Sequence, residues 1–568
     1  MFRASQKMST SKTSEPGVVY TKSWTVDLVL DLAGYEAGRN LVDAVAVEPS
    51  CGSGEFLQAM AERLSASCRS QGRSIWECAS SIIAFDLDDR AVRESRMRVA
   101  SVLVELGWNR VLSEELAGGW IRCSDFLLDG ELDLVALGGG VDFVIGNPPY
   151  VRLEMIEQTA MKVYRKRYRT MSGRSDLYVG FYERALNMLA SNGVCSFVCA
   201  DRWMLNQYGA RLREMISSGA YSVEAVVDLY GADAFHSEVL AYPAITTVRR
   251  TQEQGRVVVA KVECTPSLEG VKSLTAAVKS VRMSAAVKSL EDRSTSSEHS
   301  AVRHVVVDEW FRGSDPWPNA SPGRLKLLYD LERRFPTLQD AETGTKVGIG
   351  VATGADRVFL TRDASVVERN RLLPLAMAGD TRSGTLNWSG TYLVNPWERN
   401  GKLADLGTYP KLGAYLGAAR EALSKRHVAR KNPSRWYKTI DKVDYALVCR
   451  EKLLIPDIKN VAHPVLDRGE YYPHHNLYHI TSETWDLSVL GGILLSGVCQ
   501  FFIECYAVKM NNGYLRFQAQ YLRRIRVPRP EEIAPDQAER LRRAFSQRDV
   551  NLATEVALEV YGIDKVPV

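Results

Sequence analysis

Val141-Asp142-Phe143-Val144-Ile145-Gly146-Asn147-Pro148-Pro149-Tyr150 is the stretch that decides the fold class of this chain. Its first six residues form an apolar run of strand length, and the prolines end that strand at once. In an open α/β sheet, ligands bind just beyond the carboxyl ends of the strands. At that point this chain offers the side-chain amide of Asn147, the backbone carbonyl of Pro148 on a stiff turn, and the aromatic face of Tyr150. Two oxygen acceptors and a ring can hold and orient a planar amino group.

Working outward, residues 41 to about 250 alternate strand-like runs with helical patterns. The strand candidates are Ala44–Val47, Ser81–Phe85, Val141–Ile145, Val194–Cys199, Val223–Leu229 and Ala244–Val248. Between them lie helical patterns at Phe56–Ser65, Ala91–Leu106, Leu177–Leu189 and Ala210–Ser218. That alternation predicts an α/β fold with a doubly wound, mainly parallel, Rossmann-like sheet. The expected organisation is a tail over 1–16, a catalytic domain over 17–255 and a mixed α+β domain over 256–568. The last contains a Ser-rich loop over 283–300 and a mostly helical part from 485, with an apolar segment Leu487–Tyr506 and an amphipathic helix from Pro535 to about Tyr561.

The first strand runs into Glu48-Pro49-Ser50-Cys51-Gly52-Ser53-Gly54-Glu55. Gly52 and Gly54 let backbone approach a ligand closely, but the third glycine of a dinucleotide fingerprint is absent. Alone, this is an ordinary strand-to-helix turn. Glu48 beside it suits a cationic amino group and not a pyrophosphate. Asp86 ends the second strand, where an acid can accept two ribose hydroxyls. Asp125 can accept from an exocyclic amine while Phe126 packs on a ring. Each acid singly is more often a helix cap or turn residue than a ligand. Their order, followed by Asn147, favours a cofactor pocket.

Composition sets the outer bounds. The chain has 568 residues, 45% hydrophobic and 25% charged, with a net charge of +4, which fits a multidomain globular protein with no overall polyanion signature. No apolar run reaches the ~18 residues of a membrane span. Met1 to Glu15 lacks the apolar core of a signal peptide, so a cytoplasmic protein is expected. The ten cysteines form no CxxC pair and are read as reduced thiols. His475 and His479 have helical spacing, but Pro473 argues for a loop, so no metal site is expected there.

The order Glu-Pro-Ser-Cys-Gly-x-Gly, acid, Asp-Phe-Leu-Leu, Asn-Pro-Pro-Tyr, then a large C-terminal domain, resembles the gamma-class adenine-N6 DNA methyltransferases of TaqI type. The resemblance is sharp over residues 17 to about 250. It implies S-adenosylmethionine as cofactor, with Glu48 at the methionine moiety, Asp86 at the ribose, and Asp125 and Phe126 at the adenine. Gly17-Val18-Val19-Tyr20-Thr21 looks like the segment that closes over the methionine carboxylate through Thr21, although Lys22-Ser23 stand where the family has two prolines. Asn147, Pro148 and Tyr150 are then the catalytic set. Phe235 takes the place of a second aromatic wall for an adenine flipped out of duplex DNA. The family's usual setting is restriction–modification in a bacterial or archaeal cell, with a separately encoded endonuclease as a possible partner.

Residues 161–175 carry Lys162, Arg165, Lys166, Arg167, Arg169 and Arg174 without an acid, interleaved with Tyr164 and Tyr168. Beside a base-flipping pocket this is read as phosphate contact, with Arg165, Lys166 and Arg167 foremost. Two further basic stretches hold Arg435 and, later, Arg516, Arg523 and Arg524. Together with Val347–Asp356 they resemble stretches of the family's target-recognition domains. Three other readings stay open. The same loop serves enzymes that methylate RNA or a protein glutamine amide. Asp444 with Asp457-Ile458-Lys459 mimics a metal-dependent nuclease pattern, against which Leu453–Pro456 reads as a core strand. The third is a catalytically idle DNA-binding module, against which the cofactor acids and Asn147 argue.

Overall fold

The computed structural model describes residues 21–130, 139–151, 155–236, 243–253, 255–283, 302–307, 313–318, 320, 322–506 and 515–567. The expected tail over 1–16, residues 17–20, and all but Met283 of the Ser-rich stretch lie outside the described residues.

The chain forms two units, Met1–Trp317 and Pro318–Val568. The first is built on β1 (Ala46–Glu48), β2 (Ile82–Asp86), β3 (Ile121–Cys123), β4 (Val141–Gly146), β5 (Leu189–Ala200), β6 (Tyr221–Asp228), β7 (Pro243–Arg250), β8 (Val257–Val262) and β9 (Val302–Val307). They make one nine-stranded sheet in the order β3-β2-β1-β4-β5-β7-β6-β8-β9. The half from β3 to β5 is parallel throughout. β7 then runs antiparallel to both β5 and β6.

Both faces are covered, as the near-continuous apolar strands require. Phe143, Ile145 and Val198 share a core with Val29 of α1 (Ser23–Ala33), Met60 of α2 (Glu55–Ser70) and Val99 of α3 (Asp89–Glu105). Leu116 of α4 (Arg110–Trp120) joins that core. Phe197, one residue before Val198 and so on the opposite face, meets Tyr182 with ring centroids 5.1 Å apart. The helices Gln158–Arg167 (α5) and Tyr178–Met188 (α6) follow the Asn-Pro-Pro-Tyr turn.

All six expected strands are present, but the boundary expected at 255 moves to Trp317. β8 pairs parallel with β6, and β9 antiparallel with β8, so chain beyond 255 still belongs to the first sheet. Valine-rich runs at 257–262 and 302–307 mark these strands, but edge pairing has no signature in one sequence.

The second unit holds two four-stranded sheets. One is antiparallel, made of β10 (Lys346–Ile349), β14 (Lys452–Pro456), β16 (Val465–Asp467) and β18 (Leu477–Thr481) in the order β10-β18-β14-β16. The other joins β11 (Leu360–Thr361), β12 (Leu372–Ala376), β13 (Tyr392–Val394) and β17 (Tyr472–Pro473). The apolar segment 487–506 is two helices, Leu487–Leu495 and Gly497–Tyr506, bent by 64°. No single helix among the described residues is long and apolar enough to cross a membrane. The helix expected over 535–561 is likewise two, Pro535–Gln547 and Val550–Tyr561. Arg548 adopts a left-handed φ of 58° that stops the first, and the Asp549 side chain caps the second.

Asp444 caps a helical turn, Asp457 pairs with Arg516, and Leu453–Ile455 are buried in a core strand. Each has a structural task that the nuclease pattern does not need. Lys452 and Asp467 form a fully buried ion pair at 2.7 Å, and Asp467 also accepts backbone N–H groups of Gly469, Glu470 and Tyr471. Lys452→Met would strand that carboxylate, at a cost of about 3–5 kcal/mol. Urea unfolding of the variant is expected to show it. A loss below about 1 kcal/mol, the range of exposed pairs, would mean the pair is not desolvated.

Candidate functional site

β1 lies between β2 and β4, so the connections leaving β1 and β4 part at the carboxyl edge of the sheet. Glu48 is the last residue of β1 and is 1% exposed. Its Oε2 is buried with no hydrogen-bond partner among the described residues. Burial holds its carboxyl well above the ordinary glutamate range, and the charges of Glu55 and Asp86 push the same way. A buried acid in this state is a receptor for a cation.

The turn after Glu48 wraps an open space. Gly54, at φ 92°, caps α2, and a Cβ there would stand 3.2 Å from the Ser95 backbone. Gly52 faces nothing within 4 Å on its Cβ side, and its N–H donates to Asp86 Oδ2 at 2.9 Å. Asp86 Oδ1 accepts the N–H of Asp88 at 2.9 Å. Both oxygens are thus fixed in direction, and each keeps a second lone pair for a hydroxyl. Ser95 Oγ donates to Gly52 O at 2.7 Å and holds the turn from behind.

Asp125 is pinned at both oxygens, by Leu127 N–H at 2.8 Å and by the Tyr164 hydroxyl at 2.7 Å. Phe126 is buried between Phe85 and Phe181, with the Arg184 guanidinium 4.9 Å from its ring centre. Phe126 is thus packed in the core directly beside Asp125, the position from which it was expected to pack on a ring.

Three residues far apart in sequence, Thr21, Ser50 and Phe235, meet at the Asn-Pro-Pro-Tyr turn. Asn147 Nδ2 donates to Thr21 Oγ1 at 3.1 Å. Thr21 forms an antiparallel bridge with Phe235, whose ring lies edge to face with Tyr150 at 6.5 Å. Ser50 Oγ donates to Asn147 O at 2.9 Å and ties the β1 turn to the β4 turn. Lys22-Ser23, which stand where the family has two prolines, lead straight into α1. Lys22 N–H donates to Ala234 O at 3.0 Å, its ammonium pairs with Asp233, and Trp24 Nε1 reaches Asp233 O at 3.1 Å. The strap that proline stiffness would set is set here by polar contacts to residues 233–234. The Tyr150 hydroxyl is buried without a hydrogen-bond partner among the described residues. Burial, with smaller contributions from Cys199, Tyr182 and Asp201, pushes its pKa well up, so it stays a neutral phenol.

The basic run after the turn divides by helix face. Lys162, Arg165, Lys166 and Arg167 are exposed on α5, while Met161 and Tyr164 turn inward. Tyr164 and Tyr168, expected among the cations as nucleic-acid-facing aromatics, instead bond Asp125 and the Leu127 carbonyl. Arg165 reaches Gly173 O, and Arg167 donates to Leu128 O at 3.0 Å. In the second unit Arg435 is exposed on a short turn. Arg523 is exposed but donates to Val347 O at 2.9 Å. Arg516 is paired with Asp457 through two nitrogens, and Arg524 lies 5.0 Å from the Tyr506 ring centre. Ser50, Ser95 and Asp233 were not singled out in the sequence. Only the position of Ser50 within the glycine turn could have signalled it.

Residues 81–235 match the Eco57I restriction-modification methylase family, and residues 408–527 match the TaqI-like C-terminal specificity domain. The chain is 40% identical to the Type II methyltransferase M.PaeR7I of Pseudomonas aeruginosa, over 96% of this chain and 92% of that protein. It is 38% identical to M.XhoI of Xanthomonas vasicola, over 97% and 98%, and 39% identical to M.BstVI of Geobacillus stearothermophilus, over 97% of each. Among solved structures it shares a fold with the Type IIL restriction-modification enzyme MmeI in complex with DNA, at a TM-score of 0.59 and 12% identity, over 95% of this chain and 74% of that one.

A raised Glu48 pKa has a defined sign for stability. The folded, ligand-free protein favours the protonated acid, so this contribution is whole below the ordinary value of 4.5 and is lost as pH rises through the folded value. Glu48→Gln removes the loss. Thermal melts of ligand-free protein should show the variant at least as stable as the parent at alkaline pH, with the gap closing toward pH 4.5. A variant that melts lower at alkaline pH would show that Glu48 is ionised and satisfied in the fold.

Proposed function

Because this chain belongs to the Type II restriction–modification DNA methyltransferases, we propose that it transfers a methyl group from S-adenosylmethionine to the N6 amine of an adenine flipped out of a specific duplex site. The observation that carries this reading is the pairing of β1 with β4, which brings the buried, unsatisfied Glu48 and the Asn147 turn to one edge of the sheet. The residues present fit the cofactor. Glu48 offers a buried, unpartnered carboxyl that ionises against its ammonium group, Gly52 leaves open space beside the turn, and Asp86 keeps lone pairs for ribose hydroxyls. Thr21 takes the carboxylate end, and Asp125, braced by Tyr164, takes the adenine amine. Phe126 stiffens that wall. Bound there, the cofactor supplies an electrophilic methyl group on a sulfonium.

The chain's own part in the transfer is orientation and charge stabilisation. The adenine amine is a poor nucleophile because its lone pair is delocalised into the ring. Asn147 Oδ1 and the Pro148 carbonyl each accept one N–H, which fixes the nitrogen and turns its lone pair toward the methyl donor. The same oxygens stabilise positive charge as it develops on nitrogen. Thr21 holds the Asn147 amide in plane through its Nδ2. Tyr150, held neutral by burial, gives a face for the base, and Phe235 closes the side. The methylated nitrogen is acidic enough to release its proton to water. Arg165, Lys166, Arg167, Arg435 and Arg523 are exposed and meet phosphates or bases, while Arg516 and Arg524 serve the fold first. The enzyme then acts as the modification half of a restriction–modification system, alongside a separately encoded endonuclease.

Incubating purified protein with S-adenosylmethionine and mixed genomic DNA, then sequencing for modified adenines, tests acceptor and site together. N6-methyladenine in one recurrent sequence is expected. Unmodified adenines with label in RNA, in a peptide or in cytosine would overturn the reading. Asn147→Ala should lower single-turnover transfer by at least about a hundredfold with DNA affinity nearly unchanged, and near-parental transfer would remove its assigned role. Replacing Arg165, Lys166 and Arg167 together should weaken all duplexes alike and flatten the log–log salt slope by up to about 2.7. An effect confined to one sequence would make these residues base readers.

A further inference from the structure

In the C-terminal unit, the chain after β10 runs beside the chain after β17. Val351 bridges His474 in parallel register, Val351 N–H donates to Pro473 O at 2.9 Å, and His475 N–H donates to Val351 O at 3.1 Å. Gly350 permits this approach, since a Cβ there would fall 2.2 Å from His474 O. The pairing brings two imidazoles, adjacent in sequence, against Asp356, which lies 118 positions before His474. One donor atom from each of Asp356, His474 and His475 lies within 4.8 Å of the other two.

His474 is 1% exposed, and neither of its ring nitrogens has a hydrogen-bond partner among the described residues. A buried imidazole normally satisfies at least one nitrogen. Its Nε2 stands 3.3 Å from Asp356 Oδ2 without the alignment of a hydrogen bond. Two donors on one tetrahedral ion, with bonds of about 2.0–2.2 Å, lie roughly 3.3–3.6 Å apart. The separation therefore fits two ligands of a shared ion. His475 Nδ1 is also without a hydrogen-bond partner among the described residues. The second oxygen of Asp356 accepts from the Thr353 hydroxyl, the kind of outer contact that orients a metal-bound carboxylate. Asp356 itself reaches solvent, its side chain being 45% exposed, which leaves an entry path and an open fourth position.

We propose that Asp356, His474 and His475 bind one divalent first-row transition-metal ion of the zinc, cobalt and nickel class. Two imidazoles and one carboxylate suit these ions, whereas magnesium and calcium take mainly oxygen donors. The ion fastens the loop over 350–356 to the strand segment over 473–475. His479, which was considered together with His475 in the sequence, is no part of this site: its ring packs against Gly348 of β10.

The test uses the untagged full-length chain, stripped with a chelator. Titration with Co2+ is followed by its visible absorption, and Zn2+ affinity by competition against Co2+. One equivalent per chain is expected, with a rise in melting temperature on adding Zn2+. Asp356→Asn and His475→Gln should each weaken Zn2+ at least about tenfold while far-ultraviolet circular dichroism stays at the parental value. Asp356 faces solvent, so its variant alone decides the matter if His475→Gln disturbs the fold. Absence of stoichiometric binding in the parent, or Asp356→Asn binding as tightly as the parent, overturns the proposal.

Discussion

β1 pairs in parallel with β2 on one side and β4 on the other, and that pairing constrains everything at the site. The chain must leave the two strand ends in opposite directions, so a crevice opens above them. Glu48 ends the three-residue β1 at the crevice floor, so its carboxylate is buried by the sheet itself and not by a salt bridge. That arrangement carries an energetic penalty that an apolar or paired residue at the strand end would not, and the ligand role proposed for Glu48 rests on it. The Ser50 hydroxyl on the Asn147 carbonyl then couples the two turns, so the geometry of one depends on the other.

The wall around Asn147 is made by segments that are remote in sequence. Residues 21–25 are anchored to 233–235 by backbone and side-chain hydrogen bonds across more than 200 positions. That strap carries Thr21 to the Asn147 amide and Phe235 to the Tyr150 ring. An amide free to rotate would present nitrogen as readily as oxygen to an incoming amine. The hydrogen bond from Nδ2 to Thr21 Oγ1 sets which end of the amide faces that way.

Basic residues divide into those held by the fold and those presented to solvent. Arg426 bonds four main-chain carbonyls, Arg516 holds the β15–β19 contact (Ile458–Lys459 with Leu515–Arg516) through Asp457, and Arg324 pairs with Glu504. A guanidinium has five donors in a rigid fork, so it serves as readily to tie loops together as to bind phosphate. Charge runs in sequence therefore overstate the cationic surface offered to a polyanion. On α5 the division follows helical periodicity, with cations outward and Met161 and Tyr164 inward.

The doubly wound sheet was legible in the sequence because apolar strands and amphipathic helices carry their periods locally. The order Glu48, Asp86, Asp125, Asn147 was legible for the same reason: each ends a strand or opens a turn, and strand ends share one edge of a parallel sheet. Helix breaks at Ser496 and Arg548, the extension of the first unit to Trp317, and the inward turn of Tyr164 and Tyr168 were not. Neither was the Asp356–His474–His475 group, and Thr21 and Phe235 were assigned to the Asn147 site only through the family resemblance, since the contacts that join them are decided by tertiary structure. Periodicity is a property of neighbours along the chain, whereas a contact between residues 118 or 126 positions apart is chosen by the packing of whole elements, and no local pattern records that choice.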